Sequence, residues 1–201
     1  MFKSSILAGM FIAVAGMLYL IIGGIEGAIL FSVGLLGVVI FNAHLFTGKA
    51  GFVSSVRTVA DLFGIILIGN AIGVMIVAGL LRLADYNVSS IASGIIESRI
   101  NSSMISCFVK GIFCGLLMTT AVYGVKEKNT YLPLLFSIPA FILCGFYHSI
   151  ADCFYFSMID FSNFAYVEFY LPRWVVIVLG NFIGCNLPNL LRFRSMYNVY
   201  N

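Results

Sequence analysis

The sequence predicts an all-α integral membrane protein: six transmembrane helices in a 3+3 inverted repeat, with helices 2 and 5 broken at membrane depth. Three observations predict it: an apolar composition, a series of apolar segments, and motifs that recur in both halves. The 201 residues are 61% hydrophobic and 9% charged, with a mean hydropathy of +1.07, whereas roughly a quarter of the residues in soluble domains are charged. At about 20 residues per crossing, about six spans use the whole length. This excludes a separate catalytic or nucleic-acid-binding module.

Charge and cysteine content narrow the function classes further. The net charge of +3 is spread over 11 basic and 8 acidic residues, without a run of like charges that could bind nucleic acid. No cysteine belongs to a CxxC pair or a cluster with metal-ligand spacing. We therefore expect neither a metal nor another cofactor, and we interpret the cysteines as small packing residues. They are Cys107, Cys114, Cys144, Cys153 and Cys185.

The first half of the chain predicts two crossings around a broken helix. Ser5–Gly24 follows a basic start, as a signal peptide does, but no small-x-small cleavage site follows cleanly, which favours a first crossing. Gly27–Phe41 has only 15 residues and ends in the polar interruption 42–49, so it predicts a half-helix, a loop and a second half-helix. Leu62–Leu81 is the third crossing. The polar stretch Leu83–Ser103 predicts an interfacial loop or a short amphipathic helix.

The second half repeats this order of segments. Met104–Val125 is predicted to be the fourth crossing, and Tyr131–Cys144 is again too short to span. A second polar interruption, 145–152, follows, and the helix is expected to resume at Cys153–Met158. Trp174–Leu191 is the sixth predicted crossing, with Trp174 placed as an interfacial anchor.

Two sequence matches indicate that the halves are related. The motif GNxIG occurs at 69–73 and at 180–184, and Lys3 and Lys110 open the first and fourth crossings. Because each half has an odd number of crossings, the second half enters the membrane from the opposite side. We therefore divide one transmembrane domain, 1–201, into repeat 1 (about 1–82), an interfacial connection (83–103) and repeat 2 (about 104–194). The glycines of GNxIG are expected to allow close helix packing.

The distribution of basic residues predicts the orientation. The termini and the loops on their side carry six basic residues: Lys3, Arg57, Lys126, Lys128, Arg192 and Arg194. The opposite side carries three basic and five acidic residues: Arg82, Arg99, Arg173, Glu26, Asp85, Glu97, Asp160 and Glu168. The positive-inside rule then places both termini in the cytoplasm, and we expect the membrane to be a bacterial inner membrane.

Ionisable residues at membrane depth are candidates for function, since burying a charge there is costly. A broken helix also exposes backbone N–H groups at the positive end of a helix dipole, which suits a small anion. His148 in the second interruption is interpreted as a pore-lining proton donor, with a satisfied core histidine as the alternative. Thr47 offers a hydroxyl from the first interruption or caps a half-helix. Lys3 and Lys110 add positive potential, unless they extend to the interface.

Six segments in a fixed order resemble the formate/nitrite transporter family, over nearly the whole chain. They are KSSILAGMFIAVAG at 3–16, HLFTG at 44–48, GNAIG at 69–73, FVKGIFCGLLMTTAVY at 108–123, GFYHSIAD at 145–152 and GNFIG at 180–184. The resemblance implies an aquaporin-like fold and a homopentamer with one pore per protomer. By this resemblance Thr47 corresponds to the family's loop threonine, His148 to its central histidine and Lys110 to the lysine near the pore. It also implies apolar constrictions at Leu35, Leu45, Phe46 and Phe141.

Four positions of the candidate pathway depart from the family pattern. His44 and Tyr147 stand where relatives commonly carry acidic residues, and Lys49 and Asp152 stand where they carry asparagines. Either Lys49 and Asp152 pair across the pseudo-twofold axis, or the pathway is more attractive to anions than is usual. We also expect no counterpart of the long N-terminal gating helix of some relatives.

Together these features predict a channel or facilitator for a small monovalent weak-acid anion such as formate, nitrite or hydrosulfide. Transport is expected to be coupled to proton transfer at His148, since an apolar constriction opposes a bare charge. Two alternatives remain at this point: a non-conducting structural or regulatory membrane protein of the same fold, and a pore for a neutral solute. An enzyme is not expected, because no nucleophile–base pair, metal cluster or phosphate loop is present.

Overall fold

The computed structural model describes residues 1–159 and 165–191, and all the regular elements in these ranges are helical. A turn of π-helix, Leu62–Ile66, joins α5 to α6, so that Val56–Leu83 is one continuous helix. Asp160, Arg192 and Arg194, which entered the predicted orientation, lie outside the described residues. The α-helices are α1 Phe2–Ile22, α2 Gly24–Leu30, α3 Ser32–Ile40, α4 Phe46–Ala50, α5 Val56–Asp61, α6 Leu67–Leu83, α7 Ser89–Ile100, α8 Met104–Lys128, α9 Leu132–Leu143, α10 Ser149–Met158 and α11 Ala165–Leu191.

Within the described residues, four helical segments are long and apolar enough to cross a membrane: Phe2–Ile22, Val56–Leu83, Met104–Lys128 and Val167–Leu191. Two further apolar segments, Gly24–Ile40 and Leu132–Leu143, are shorter, as the sequence predicts for the second and fifth runs. Many large apolar side chains point outward, among them Ile40, Phe41 and Phe136. Such a surface is unfavourable in water and suits lipid or a neighbouring subunit.

Two helix pairs, α1 with α6 and α8 with α11, form the centre of the fold, and glycines let them approach closely. A Cβ on Gly73 would collide with the backbone carbonyl of Ile6, and one on Gly184 with that of Ile112. The packing role predicted for the GNxIG glycines is thus confirmed at both motifs.

Each polar interruption begins with a non-helical turn and continues into a short helix. α3 ends at Ile40, and Asn42 takes a left-handed conformation (φ 48°) before α4 begins at Phe46. α9 ends at Leu143, and Gly145 (φ 65°) lies in the corresponding turn before α10. A positive φ is favourable for glycine and tolerable for asparagine, which explains these residue types.

Two helix starts differ from the prediction, and the connection between the halves takes one of its two predicted forms. α10 begins at Ser149 rather than Cys153, because the side chain of His148 caps it, so Asp152 lies in its first turn. Of the loop and the short helix predicted for the connection between the halves, the structure has a short helix, α7, packed against α10 and α11. α11 extends upstream of Trp174, whose indole N–H donates to the Ser149 carbonyl (2.8 Å). Trp174 therefore makes an internal contact, which hydropathy alone does not reveal.

Candidate functional site

Thr47 and His148, one from each polar interruption, are joined by a buried hydrogen bond. The distance between Thr47 Oγ1 and His148 Nε2 is 2.9 Å, and the backbone N–H of Ala151 donates to His148 Nδ1 over 3.1 Å. Because Nδ1 accepts, the proton of a neutral imidazole is on Nε2, from which it is donated to Thr47. An imidazolium carries N–H groups at both positions and could not accept the Ala151 bond. The contacts therefore define a neutral histidine that caps α10 and bonds Thr47.

Apolar side chains surround this pair. The ring of Phe141 stacks on His148 with centroids 5.7 Å apart, and Phe31 meets Phe141 edge-on, also at 5.7 Å. The residues expected to form constrictions are all buried: Leu35, Leu45, Phe46 and Phe141. Since such surroundings offer no polar group to a bare anion, a charge that passed the Thr47–His148 pair would lose most of its hydration.

A cavity of about 120 Å³ lies against His148. Its wall is mostly aromatic and aliphatic, with Phe141, Tyr19 and Tyr155 among its members, and its charged side chains are Arg99 and Asp152. The remaining lining residues are Ile95, Ile142, Gly145, Phe146 and Ala151. His148 thus forms part of a small compartment whose wall combines aromatic and aliphatic side chains with an ion pair.

The ion pair in this cavity joins α7 to α10. Arg99 donates from Nη2 (2.9 Å) and from Nε (3.2 Å) to the same oxygen, Oδ1 of Asp152. The other oxygen, Oδ2, is buried and accepts no hydrogen bond from the described residues. Of the two alternatives given for Lys49 and Asp152, the one in which they pair is therefore wrong, because α7 packs on α10 and brings the guanidinium of Arg99 to the carboxylate.

Lys110 and Tyr147 form a second polar cluster next to this ion pair. Lys110 Nζ donates to the Tyr147 hydroxyl (3.1 Å), which also lies 3.0 Å from Ser102 Oγ. Arg99 Cζ lies 4.2 Å, and Lys110 Nζ 4.6 Å, from the centroid of the Tyr147 ring. Neither Lys110 nor Tyr147 is among the residues that line the cavity, so Arg99 holds the place in its wall that we expected for Lys110.

The remaining predicted site residues lie around the first interruption. His44 Nδ1 is 2.8 Å from Ser4 Oγ. Lys49 lies beside Lys126, and both line a cavity of only about 10 Å³. Lys3 is exposed at the start of α1. The structure therefore brings together Thr47 with His148 and Tyr147 with Lys110, but it brings neither Lys3 nor Lys49 to the His148 cavity.

Two asparagines that the sequence analysis passed over hold both interruptions in place. Asn70 donates to the carbonyls of Ser5 (2.7 Å) and His44 (2.8 Å) and accepts from the Phe46 N–H (2.8 Å). Asn181 makes the corresponding bonds to Gly111 (2.9 Å), Tyr147 (2.8 Å) and the Ser149 N–H (2.8 Å). Each asparagine is the N of a GNxIG motif. A polar amide inside an apolar span needs buried hydrogen-bond partners, and this was the sequence signal for these contacts.

Contacts of His44 and Tyr147 change one of the sequence matches between the halves, that of Lys3 with Lys110. The backbone N–H of His44 donates to the Ser4 carbonyl (3.3 Å) as that of Tyr147 donates to the Lys110 carbonyl (3.4 Å). The side chain of His44 also contacts that of Ser4, and the side chain of Tyr147 also contacts that of Lys110. Ser4, and not Lys3, is thus the counterpart of Lys110.

The described residues contain no group of three histidine, cysteine or acidic side chains that could hold a metal, and all five cysteines are free. Cys185 is buried, and its thiol also contacts the carbonyls of Thr47 (3.4 Å) and Gly115 (3.3 Å). It thereby supports the backbone that carries the Thr47 hydroxyl.

The apolar helices and the buried polar pair define an all-helical integral membrane protein with an internal polar site. Residues 1–191 match the family model described as formate/nitrite transporter. The chain belongs to the formate/nitrite transporter family.

Relatives and solved structures agree with this assignment. The Bacillus subtilis (strain 168) protein named "Uncharacterized transporter YrhG" is 30% identical over 178 residues, which cover 79% of this chain and 66% of that protein. A "Probable formate transporter" of Methanothermobacter thermautotrophicus is 26% identical, over 90% of this chain and 82% of the relative. The fold matches a "Pentameric formate channel with formate bound" with a TM-score of 0.79 at 20% identity, over 92% of each chain. It also matches an "FNT family ion channel" with a TM-score of 0.78 at 22% identity, over 92% of this chain and 85% of the other.

Proposed function

We propose that this protein is a channel or facilitator for a small monovalent weak-acid anion and that the central step is proton exchange at His148. The observation that carries the proposal is the buried Thr47–His148 bond beside a small cavity that Phe141 and Arg99 also line. Formate is the first candidate substrate, because a structural neighbour is named for bound formate and one relative for formate transport. Nitrite and hydrosulfide are the other candidates.

The proposed route begins with attraction of the anion by the positive side chains near the cavity, Arg99 and Lys110. An apolar constriction around Phe141 opposes a bare charge, because desolvation of an ion costs many kcal/mol more than desolvation of a neutral molecule. The anion therefore passes as its neutral acid. Net transport is expected to resemble symport of the anion with a proton.

His148 is neutral at rest, as its two hydrogen bonds require. We propose that it takes up a proton only while an anion lies beside it, since the anion offsets the loss of the Ala151 bond and the burial of a cation. Transfer of a proton from the imidazolium to the anion forms the neutral weak acid and returns His148 to its neutral state. Thr47 orients the ring through its bond to Nε2.

We also propose the finer architecture: six spans as a 3+3 inverted repeat with broken second and fifth helices, assembled as a homopentamer. The matching bonds of Asn70 and Asn181 support the repeat. The pentameric structural neighbour supports the assembly. The proposed location is a bacterial inner membrane with both termini in the cytoplasm, on the basis of the positive-inside rule.

A second candidate function is a non-conducting protein of the same fold. The close packing of Phe31, Phe141 and His148 favours it, because the ring of Phe141 contacts the other two rings beside the Thr47–His148 pair. A pore for a neutral solute is the third candidate, and the guanidinium of Arg99 in the cavity wall argues against it.

The experiment that tests the proposal is uptake of labelled formate, nitrite and hydrosulfide into proteoliposomes, from about pH 5 to about pH 8, around the ordinary range of histidine titration. We expect uptake to rise as pH falls and to collapse in His148→Ala. Absence of flux for every anion at every pH would favour the non-conducting protein. Flux of glycerol or water that is indifferent to anions would favour the neutral-solute pore.

A further inference from the structure

Among the described residues that line the cavity beside His148, the cation is Arg99 and not the lysine that the sequence indicates. We propose that Arg99 is the anion-binding residue of this cavity and that it gives the pathway a preference for planar oxyanions, above all carboxylates, over hydrosulfide. The inference rests on the proposed function, since it names the substrate class of the same site.

The position of Arg99 is the first observation that supports it. The side chain is 12% exposed, and it lines the cavity together with His148 and Phe141. Lys110, the other cation nearby, contacts Tyr147 and does not line the cavity. An anion that reaches His148 through this compartment therefore meets a guanidinium rather than an ammonium.

Among the described residues, the hydrogen bonds of Arg99 use only part of its guanidinium group, a planar fork of five N–H donors. Two of its five N–H groups donate to a single oxygen of Asp152, and one on Nη1 donates to the Ile95 carbonyl over 3.4 Å. One N–H on each Nη nitrogen therefore has no partner among the described residues. Two N–H groups in one plane match the two oxygens of a carboxylate, whereas the single sulfur of hydrosulfide can use only one of them well.

Asp152 and Tyr147 act as positioning residues for this guanidinium. The single-oxygen contact with Asp152 fixes one edge of the fork and offsets part of its charge. The Tyr147 ring lies 4.2 Å from Arg99 Cζ and supports the plane of the fork. A partly offset charge in an apolar compartment attracts an anion without retaining it tightly, and a transport pathway needs such release.

The test compares Arg99→Lys, which keeps the charge and loses the planar fork, with the wild-type protein in proteoliposomes. We expect the ratio of formate uptake to hydrosulfide uptake to fall about tenfold, with hydrosulfide uptake within about twofold of wild type. Arg82→Lys is the matched control, because Arg82 donates to the carbonyls of Ser157 and Ile159 and does not line the His148 cavity. Its ratio is expected to stay at the wild-type value.

A second variant tests the same inference in case Arg99→Lys fails to fold. The double change Arg99→Gln with Asp152→Asn removes both charges together, so no buried charge is left unpaired. We expect it to have a thermal unfolding temperature near that of wild type and a formate-to-hydrosulfide ratio as low as that of Arg99→Lys. A wild-type ratio in either folded variant would overturn the inference.

Calorimetric titration of formate into the purified wild-type protein separates this inference from the proposed function. If no anion is transported, the channel proposal fails, and the role of Arg99 is then decided by binding alone. Formate binding that is weakened about tenfold in Arg99→Lys supports the role of Arg99. Equal binding in both proteins, or no binding to the wild type, overturns it.

Discussion

Asn70 and Asn181 make the same set of three hydrogen bonds: each bonds a carbonyl of the neighbouring long helix, a carbonyl in the turn before a short helix, and the first N–H of that short helix. In each case the amide Nδ2 donates to two carbonyls and Oδ1 accepts one backbone N–H. Both side chains are fully buried. The non-helical turn before Thr47 and the turn that ends at His148 are therefore held by side chains, because helical bonds are missing there.

Replacement of either asparagine by alanine is expected to lower the free energy of unfolding by about 2–4 kcal/mol, since it leaves several buried backbone groups unpaired. Thermal unfolding in detergent measures the effect. Asn129→Gly is the control: Asn129 is exposed with φ 49°, a conformation that glycine adopts freely, so little change is expected. Equal stability of Asn70→Ala and wild type would mean that the turn is held by other contacts.

His148 has two structural roles that different substitutions separate. Asparagine preserves an acceptor near the position of Nδ1 for the Ala151 N–H, and glutamine preserves a donor near Nε2 for Thr47, whereas neither titrates. Both His148→Asn and His148→Ala lose the bond to Thr47, but only His148→Ala also loses the cap of α10, so we expect His148→Asn to be about 1 kcal/mol more stable than His148→Ala. If proton exchange at His148 carries transport, His148→Asn and His148→Gln both lose the rise of uptake at low pH. A normal pH profile in His148→Gln would remove the histidine from the proton step.

Thr47→Val replaces the hydroxyl that accepts from His148 with a methyl group of similar size. The buried Nε2–H then lacks an acceptor, so we expect a loss of about 1–3 kcal/mol of stability and a severalfold drop in formate uptake. Thr119→Val is the matched control, because Thr119 is also buried and donates to the Cys185 carbonyl over 3.0 Å. It is expected to cost comparable stability, and uptake per folded protein should remain near wild type.

Replacement of glycine by alanine is expected to lower stability where the glycine packs against another helix and to raise it where the glycine has no such contact. Gly73→Ala and Gly184→Ala place a methyl group against the carbonyls of Ile6 and Ile112, so the helices must separate and stability falls. Gly79→Ala in α6 meets nothing within 4 Å and is expected to stabilise the helix by up to about 1 kcal/mol. Unfolding temperatures that shifted in the same direction for all three variants would contradict this packing.

Much of the fold follows from hydropathy and from the spacing of polar interruptions. The sequence indicates the short second and fifth runs and the glycine contacts, and it names Thr47 and His148 as site residues, whereas their hydrogen bond is seen only in the structure. The predicted features depend on local composition or on motifs that recur in both halves, which a single sequence displays directly.

The partners of charged side chains could not be predicted in the same way. Arg99 was assigned to the connection between the halves, and only the packing of α7 against α10 brings it to Asp152. The expected pairing of Lys49 with Asp152 relied on equivalent positions in the two interruptions. Equivalence by sequence gives no distance between two side chains, and the actual partner came from a segment outside either repeat.

The place of Trp174 gives the molecule an optical probe of its own. It is the single tryptophan of the chain, and its indole N–H bonds the carbonyl of Ser149, the residue next to His148. Any rearrangement of the first turn of α10 therefore alters the surroundings of the sole indole fluorophore. Its emission can be followed in the unmodified protein, without an attached label, while anions are added or the pH is changed.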